Sequence, residues 1–150
     1  MKLTNAKATY EYDILDRFEA GVVLTGSEVK SLRAGHAKLD GSYVKIIGNE
    51  ALLVNAHIFP YAFARIEGYD PKRTRKLLLH KHQLISLQSK IEGARLTLVP
   101  LSWYTTGHRL KLEVGLGRGK KQYEKREKKR REDQKRELER DYRGKVKLRR

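Results

Sequence analysis

The last 33 residues set the strongest limit on what this chain can fold into. From 118 to 150 the only apolar or aromatic side chains are Tyr123, Leu138, Tyr142, Val146 and Leu148, set among 17 Lys and Arg and 7 Asp and Glu. Burial of apolar surface drives folding, so this stretch has almost nothing to give a core. The core must come from what precedes it. The composition breaks at Gly115, Gly117 and Gly119. Residues 1–117 therefore read as one domain, large enough for a core of its own with modest margin, and 118–150 as a basic tail joined by a glycine-rich hinge.

Charge narrows the partner. With 34 Lys and Arg against 18 Asp and Glu, the chain carries a net +16 and a pI near 10.1, which points to a polyanion. A membrane surface would require a broad apolar face opposite the basic one, which the tail lacks. Nucleic acid is the expected partner, with no membrane. The absence of cysteine excludes a disulfide framework and a zinc knuckle. "MKLTNAKATYEYD" has no apolar signal core, and no run approaches the roughly 20 apolar residues of a membrane span. The expected location is cytoplasmic.

Within the domain, "YVKIIGNEALLVN" places β-rich runs on both sides of Gly48-Asn49-Glu50 and reads as a hairpin. "RLTLVPLSWY" and "HRLKLEV" read as a second, joined by Thr105-Thr106-Gly107, with Leu96, Leu98, Leu110, Leu112 and Val114 recurring at period two on one buried face. Pro100 marks an edge or a bulge. "EAGVVLTG" is a further short strand. "GSEVKSLRAG" predicts a short helix capped by Ser27, with Val29 and Leu32 on one side and Gly35 as its stop. "HKHQLISLQSKIEG" predicts another, with Leu84, Leu87 and Ile91 at helical spacing and an end at Gly93. The fold class is mainly β: a small closed barrel with two or three short helices, of the oligonucleotide-binding type or of an SH3-like type.

Enzymatic signatures are weak. "GLGRGKKQ" fails as a phosphate-binding P-loop, because Val114 stands five places before Gly119 and Lys121 occupies the Ser/Thr position. His80 and His82 would serve a metal only with further ligands from elsewhere; they read better as solvated histidines at a helix start. Glu11, Asp13 and Asp16 imitate a nuclease cluster but suit local pairing on a basic surface. No catalytic residue, metal or cofactor is expected.

Two features point to RNA. "DPKRTRKLLLH" concentrates Lys72, Arg73, Arg75 and Lys76 before an apolar strand, placing a cationic loop at a barrel rim. In the tail, Glu124 with Lys128, Glu127 with Arg131 and Glu132 with Arg136 have helix-supporting i to i+4 orientation. Each pair contributes only about 0.2–0.5 kcal/mol, so the tail is expected to be largely disordered when free and helical when bound to a polyanion.

Four ordered segments, "FEAGVVLTGSEVKSLRAG" (18–35), "DPKRTRKLLLHKHQL" (70–84), "LVPLSWY" (98–104) and "GRGKKQYEKRE" (117–127), together resemble the bacterial SsrA-binding proteins, from about Asn5 to Glu127. That resemblance implies an oligonucleotide-binding-type barrel. It also implies an RNA-binding accessory of trans-translation, the rescue of stalled ribosomes, rather than an enzyme. By the resemblance, the barrel binds the tRNA-like domain of transfer-messenger RNA through Asn5, Glu19 and Leu78, with Arg73, Arg75 and Lys76 beside them.

The tail, through Lys120, Lys121, Tyr123, Glu124, Lys125 and Arg126, is implied to enter the empty messenger channel and decoding centre of the small ribosomal subunit. There Tyr123 would stack on a base. A carboxylate facing RNA opposes the general attraction, so Glu19 makes sense as an acceptor for a base edge or as a buttress for an arginine. Only one of Leu77, Leu78 and Leu79 is expected to differ in burial, by strand alternation. The sequence departs from the commonest family pattern in having Glu124 where aspartate is usual, and its basic N-terminal extension is short. A ribosomal or ribosome-biogenesis protein is the alternative reading.

Overall fold

Both hairpins expected from the sequence are formed. In the computed structural model, which describes residues 1–120 and 122–148 and the side chains of 1–120 and 126–141, the chain divides into two units, Met1–Gly119 and Lys120–Arg150.

The first unit runs β1 (Lys2–Thr4), α1 (Ala6–Glu11), β2 (Tyr12–Val22), α2 (Gly26–Arg33), β3 (Ala37–Lys38), β4 (Tyr43–Ile47), β5 (Glu50–Val54), β6 (His57–Ile58), β7 (Arg75–Leu78), α3 (Lys81–Ala94), β8 (Thr97–Thr106) and β9 (Arg109–Gly119). Seven strands form one antiparallel sheet in the order β1-β8-β4-β5-β7-β2-β9, and β9 also pairs with β8. β3 and β6 form a separate ribbon.

The β4–β5 turn is the two-residue Gly48-Asn49, and the β8–β9 turn is Gly107-His108. Both correct the expected turns: Glu50 of the expected Gly48-Asn49-Glu50 opens β5, and the threonines of the expected Thr105-Thr106-Gly107 continue β8. Gly48 and Gly107 each have φ of 60° at the first central position, as a tight turn with glycine leading requires. The register slips between Pro100 and Ser102, so Pro100 does sit at a bulge.

Trp103, Leu112, Val114, Leu53, Leu98, Leu32 and Ile58 form the centre of the core, and Leu84, Leu87 and Ile91 of α3 close on it. α2 begins two residues earlier than expected. Thr25, not Ser27, is its N-cap: the Thr25 hydroxyl accepts from the Glu28 amide while the Glu28 carboxylate accepts from the Thr25 amide.

The expected hinge is a strand. β9 extends to Gly119, and Gly115 and Gly117 pair with Arg17 and Ile14 of β2. A Cβ at Gly115 would stand 3.0 Å from the Leu101 Cδ1 and 3.1 Å from the Ile14 Cγ2; one at Gly117 would stand 3.2 Å from the Asp13 carbonyl oxygen. These glycines admit close packing rather than free rotation.

The second unit carries α4 (Gln122–Leu148). A helix is the form that the sequence led us to expect of the bound tail. Lys, Arg, Glu and Gln are good helix formers, and of the expected side-chain pairs Glu127 with Arg131 is formed at 3.3 Å. From Arg126 to Asp141 every side chain is exposed or half-exposed, Leu138 included. Among the described residues no helix is long and apolar enough to cross a membrane.

Candidate nucleic-acid interface

Strand alternation sorts the basic loop expected at 72–76. In β7, Arg75 and Leu77 point inward while Lys76 and Leu78 point outward. Arg75 is fully buried, which corrects its assignment to an exposed rim. Its Nε donates to the Glu28 Oε2 at 2.6 Å, and its Nη atoms donate to the carbonyls of Ala56, Arg73 and Pro71. Arg73 is half-exposed and donates to the other Glu28 oxygen at 2.6 Å. Burial alone would raise the Glu28 carboxyl, but Arg73, the Thr25 amide and Arg75 together hold it below the usual range. This triad locks α2 to β7 from the inside. Lys76 is exposed and lies 3.3 Å from Glu50.

Leu78 is 56% exposed, whereas Leu77 is buried and Leu79 half-buried. An exposed leucine in ordered strand is informative only in context. Here it packs on Gly21 and borders a groove of about 380 Å³ whose apolar walls include Val22, Leu24 and Val29 and whose rim carries Arg33, Arg109 and Lys111. Arg33 is fixed by donating to the His108 carbonyl at 2.7 Å.

Beside the groove, Glu19 is exposed on β2, directly opposite Glu113 on β9. Carboxylates so placed repel. The Tyr104 hydroxyl donates to Glu19, and Arg17 pairs with Glu113 at 3.0 Å. Burial first, then the Glu19 hydrogen bond and charge, push the Tyr104 phenol up to about 12, so it remains a donor. The buttress of Glu19 is thus a phenol, while the arginine belongs to its neighbour.

Asn5 lies apart and is buried. It stands at the N-cap position of α1, and its Nδ2 donates to the carbonyls of Pro100 at 2.9 Å and Leu39 at 3.4 Å. Among the described residues its Oδ1 has no partner. Asn5 lies opposite Leu101, three positions along β8 from Tyr104, about 10 Å at strand rise. It therefore holds the bulge rather than lining the groove.

Of the tail residues, Lys120 is half-exposed and Arg126 exposed; Lys121 and the side chains of Tyr123, Glu124 and Lys125 lie outside the described residues. His80 and His82 stack ring on ring, and among the described residues no three or more potential ligands gather to hold a metal.

Sequence reasoning passed over Tyr104, Arg109 and Lys111. A signal existed: in "RLKLEV" the alternation that buries Leu112 and Val114 turns Lys111 and Glu113 outward.

A family model described as "SmpB protein" matches residues 2–144. The chain belongs to the SmpB family. It is 50% identical over 145 residues to the SsrA-binding protein of Sulfurihydrogenibium sp. (strain YO3AOP1), covering 97% of this chain and 95% of that one. It is 45% identical over 145 residues to the SsrA-binding protein of Aquifex aeolicus (strain VF5), covering 96% and 92%. A solved SmpB-family structure, described as "tmRNA-SmpB: a journey to the center of the bacterial ribosome", aligns with a TM-score of 0.67 at 46% identity, over 81% of this chain and 85% of that chain.

Proposed function

We propose that this chain is an RNA-binding accessory of trans-translation, not an enzyme, that acts in the cytoplasm. It binds the tRNA-like domain of transfer-messenger RNA, brings it to stalled ribosomes and places its basic tail in the empty messenger channel at the decoding centre. The observation that carries the reading is near full-length kinship, at 45–50% identity, with SsrA-binding proteins.

The site supports it. The apolar groove at Leu78, lined also by Arg33, Arg109 and Lys111, offers phosphate contacts beside apolar walls, and Glu19 held by Tyr104 offers an acceptor to a base edge. Lys76 and half-exposed Arg73 add charge nearby, while Arg75 and Asn5 shape the surface from beneath. The strand pairings return from β9 to β8, which favours a closed barrel of the oligonucleotide-binding type. The tail gains its order on the ribosome: its helix has no apolar face to bury, so phosphate contacts stabilise it. Residues 120–126 enter the decoding centre, with Tyr123 stacking on a base.

The test is to sequence the RNA that co-purifies with the full-length chain and to measure binding of the tRNA-like domain by filter retention. One structured RNA should dominate, and Glu19→Lys should weaken specific binding although it adds positive charge. Tighter binding by that variant would remove the role given to Glu19. A bulk ribosomal RNA profile would overturn the function.

A further inference from the structure

Sixteen residues without regular structure separate Ile58 of β6 from Arg75 of β7. Loops of this length in a small domain usually have a task of their own. This one is well tied. The Ser31 hydroxyl donates to the Phe59 carbonyl at 2.6 Å, the Tyr69 hydroxyl to the Ile58 carbonyl at 2.6 Å, and the Ile58 amide to the Pro71 carbonyl at 3.0 Å.

Held in this way, the loop leaves Phe59 and Tyr61 half-buried and turns Phe63 outward. Phe63 is 87% exposed and meets Tyr61 edge-on, with ring centroids 5.5 Å apart; Phe59 lies against His57 at 4.3 Å. Lys30 Nζ is 5.6 Å from the Tyr61 centroid, and Lys38 Nζ is 5.8 Å from that of Phe59. Among the described residues, Lys30, Lys38, Arg65 and Lys72 form no ion pair. Burial, then the charges of Lys72, Lys38 and Arg75, press the His57 imidazole below its usual value.

We propose that Phe59, Tyr61 and Phe63 form a second RNA-contacting surface, a shelf on which unpaired bases stack while Lys30, Lys38 and Lys72 hold the adjoining phosphates. Every base has a π-face, so interleaved rings and cations suit a single strand or an opened loop. A protein partner fits less well, because protein interface centres are depleted in lysine. The shelf is distinct from the Leu78 groove. α2 stands between them, turning Val29 and Arg33 to the groove and Lys30 and Ser31 to the loop. The inference rests on the proposed RNA-binding function and adds a ligand class, unpaired nucleotides, at another face.

The test uses the full-length chain and an eight-nucleotide oligouridylate carrying one 4-thiouridine. Photocrosslinks should map within residues 59–66. At salt high enough to suppress the electrostatic contribution of the tail, Phe63→Ala should weaken binding of this oligonucleotide about 5- to 150-fold, the range of one lost stacking contact. Phe63→Tyr should restore it. The melting temperature should not move, since the Phe63 ring is in solvent. Unchanged affinity in Phe63→Ala, with crosslinks confined to other segments, would overturn the proposal and leave the shelf to a protein partner. Glu19→Lys is read on the folded tRNA-like domain, so a failure there is separable from a failure here.

Discussion

Replacing Glu28 by glutamine keeps its volume and removes its charge from a site where that charge has two arginine partners. Glu28 is 1% exposed and Arg75 is fully buried, with 2.5 Å between the Arg75 Nη2 and the Glu28 Oε2. In Glu28→Gln, Arg75 keeps its three backbone carbonyl acceptors but remains a buried cation with no counter-charge. Breaking one side of a buried pair costs about 3–5 kcal/mol. A domain of this size holds about 5–15 kcal/mol in total, so roughly a fifth or more of its stability is at stake. At about 4 °C per kcal/mol, the melting temperature should fall by roughly 12–20 °C.

Trp103, the one tryptophan, is fully buried in the core, so its fluorescence during urea unfolding reports this unit without interference from α4. The control is Glu50→Gln, which breaks the exposed pair with Lys76 and should cost no more than about 1 kcal/mol. The folded Glu28 pKa is depressed below 4.5, so its contribution is fully present above pH 4.5 and is lost as pH falls through the folded value. The stability gap between parent and Glu28→Gln should accordingly be flat above that pH and close below it. A loss equal to that of Glu50→Gln, or a gap that widens on acidification, would refute the assignment of a charged, arginine-bound carboxylate.

Leu77→Ala should cost about 2–5 kcal/mol by emptying core volume, while Leu78→Ala should leave stability nearly unchanged and weaken binding of the tRNA-like domain; paired urea curves and filter retention distinguish the two. Gly115→Val should destabilise by about 1–3 kcal/mol in thermal melts, because the Leu101 and Ile14 methyls occupy the space it needs, whereas a hinge would tolerate it. Truncation after Gly119 should leave the Trp103 unfolding transition in place and preserve binding of the tRNA-like domain, but abolish peptide tagging on ribosomes stalled without a stop codon. Normal tagging by that fragment would refute the role of the tail.

Much of the fold was legible because local rules and tertiary structure agree. β-rich runs on either side of a turn gave the β4–β5 hairpin, period-two alternation gave the β8–β9 hairpin, proline gave the bulge, and the spacing of Leu84, Leu87 and Ile91 gave α3. β2 was only half legible for a physical reason: a register slip between Ile14 and Asp16 breaks its alternation and leaves Leu15 exposed, so its first half does not read as strand. The glycines of β9 misled because sequence does not distinguish a glycine that permits rotation from one that admits a neighbour. Arg75 was decipherable in principle. The alternation that requires Leu77 and Leu78 to face opposite ways puts Arg75 on the side of Leu77. Its partner Glu28 was not, since the two are 47 positions apart and no local pattern marks a buried acid.

The placement of acids gives physical content to the difference between the two units of a +16 chain. In the tail, acids alternate with bases along a helix and serve its local pairing, so attraction to phosphate there depends on charge density rather than on any fixed contact. On the β2–β9 face, Glu19 and Glu113 are held opposite each other against their repulsion, one by the Tyr104 phenol and one by Arg17. On the proposed function, such a pair would repel a phosphate backbone laid across it and accept from base-edge donors, turning away RNA orientations that the nearby Arg33, Arg109 and Lys111 would attract. With its pKa pushed up to about 12, the Tyr104 phenol would stay a donor to Glu19 at neutral pH. Generic attraction and selective rejection would then be carried by different parts of the chain, and on that proposal loss of the tail should remove ribosome engagement while leaving recognition of a folded RNA intact.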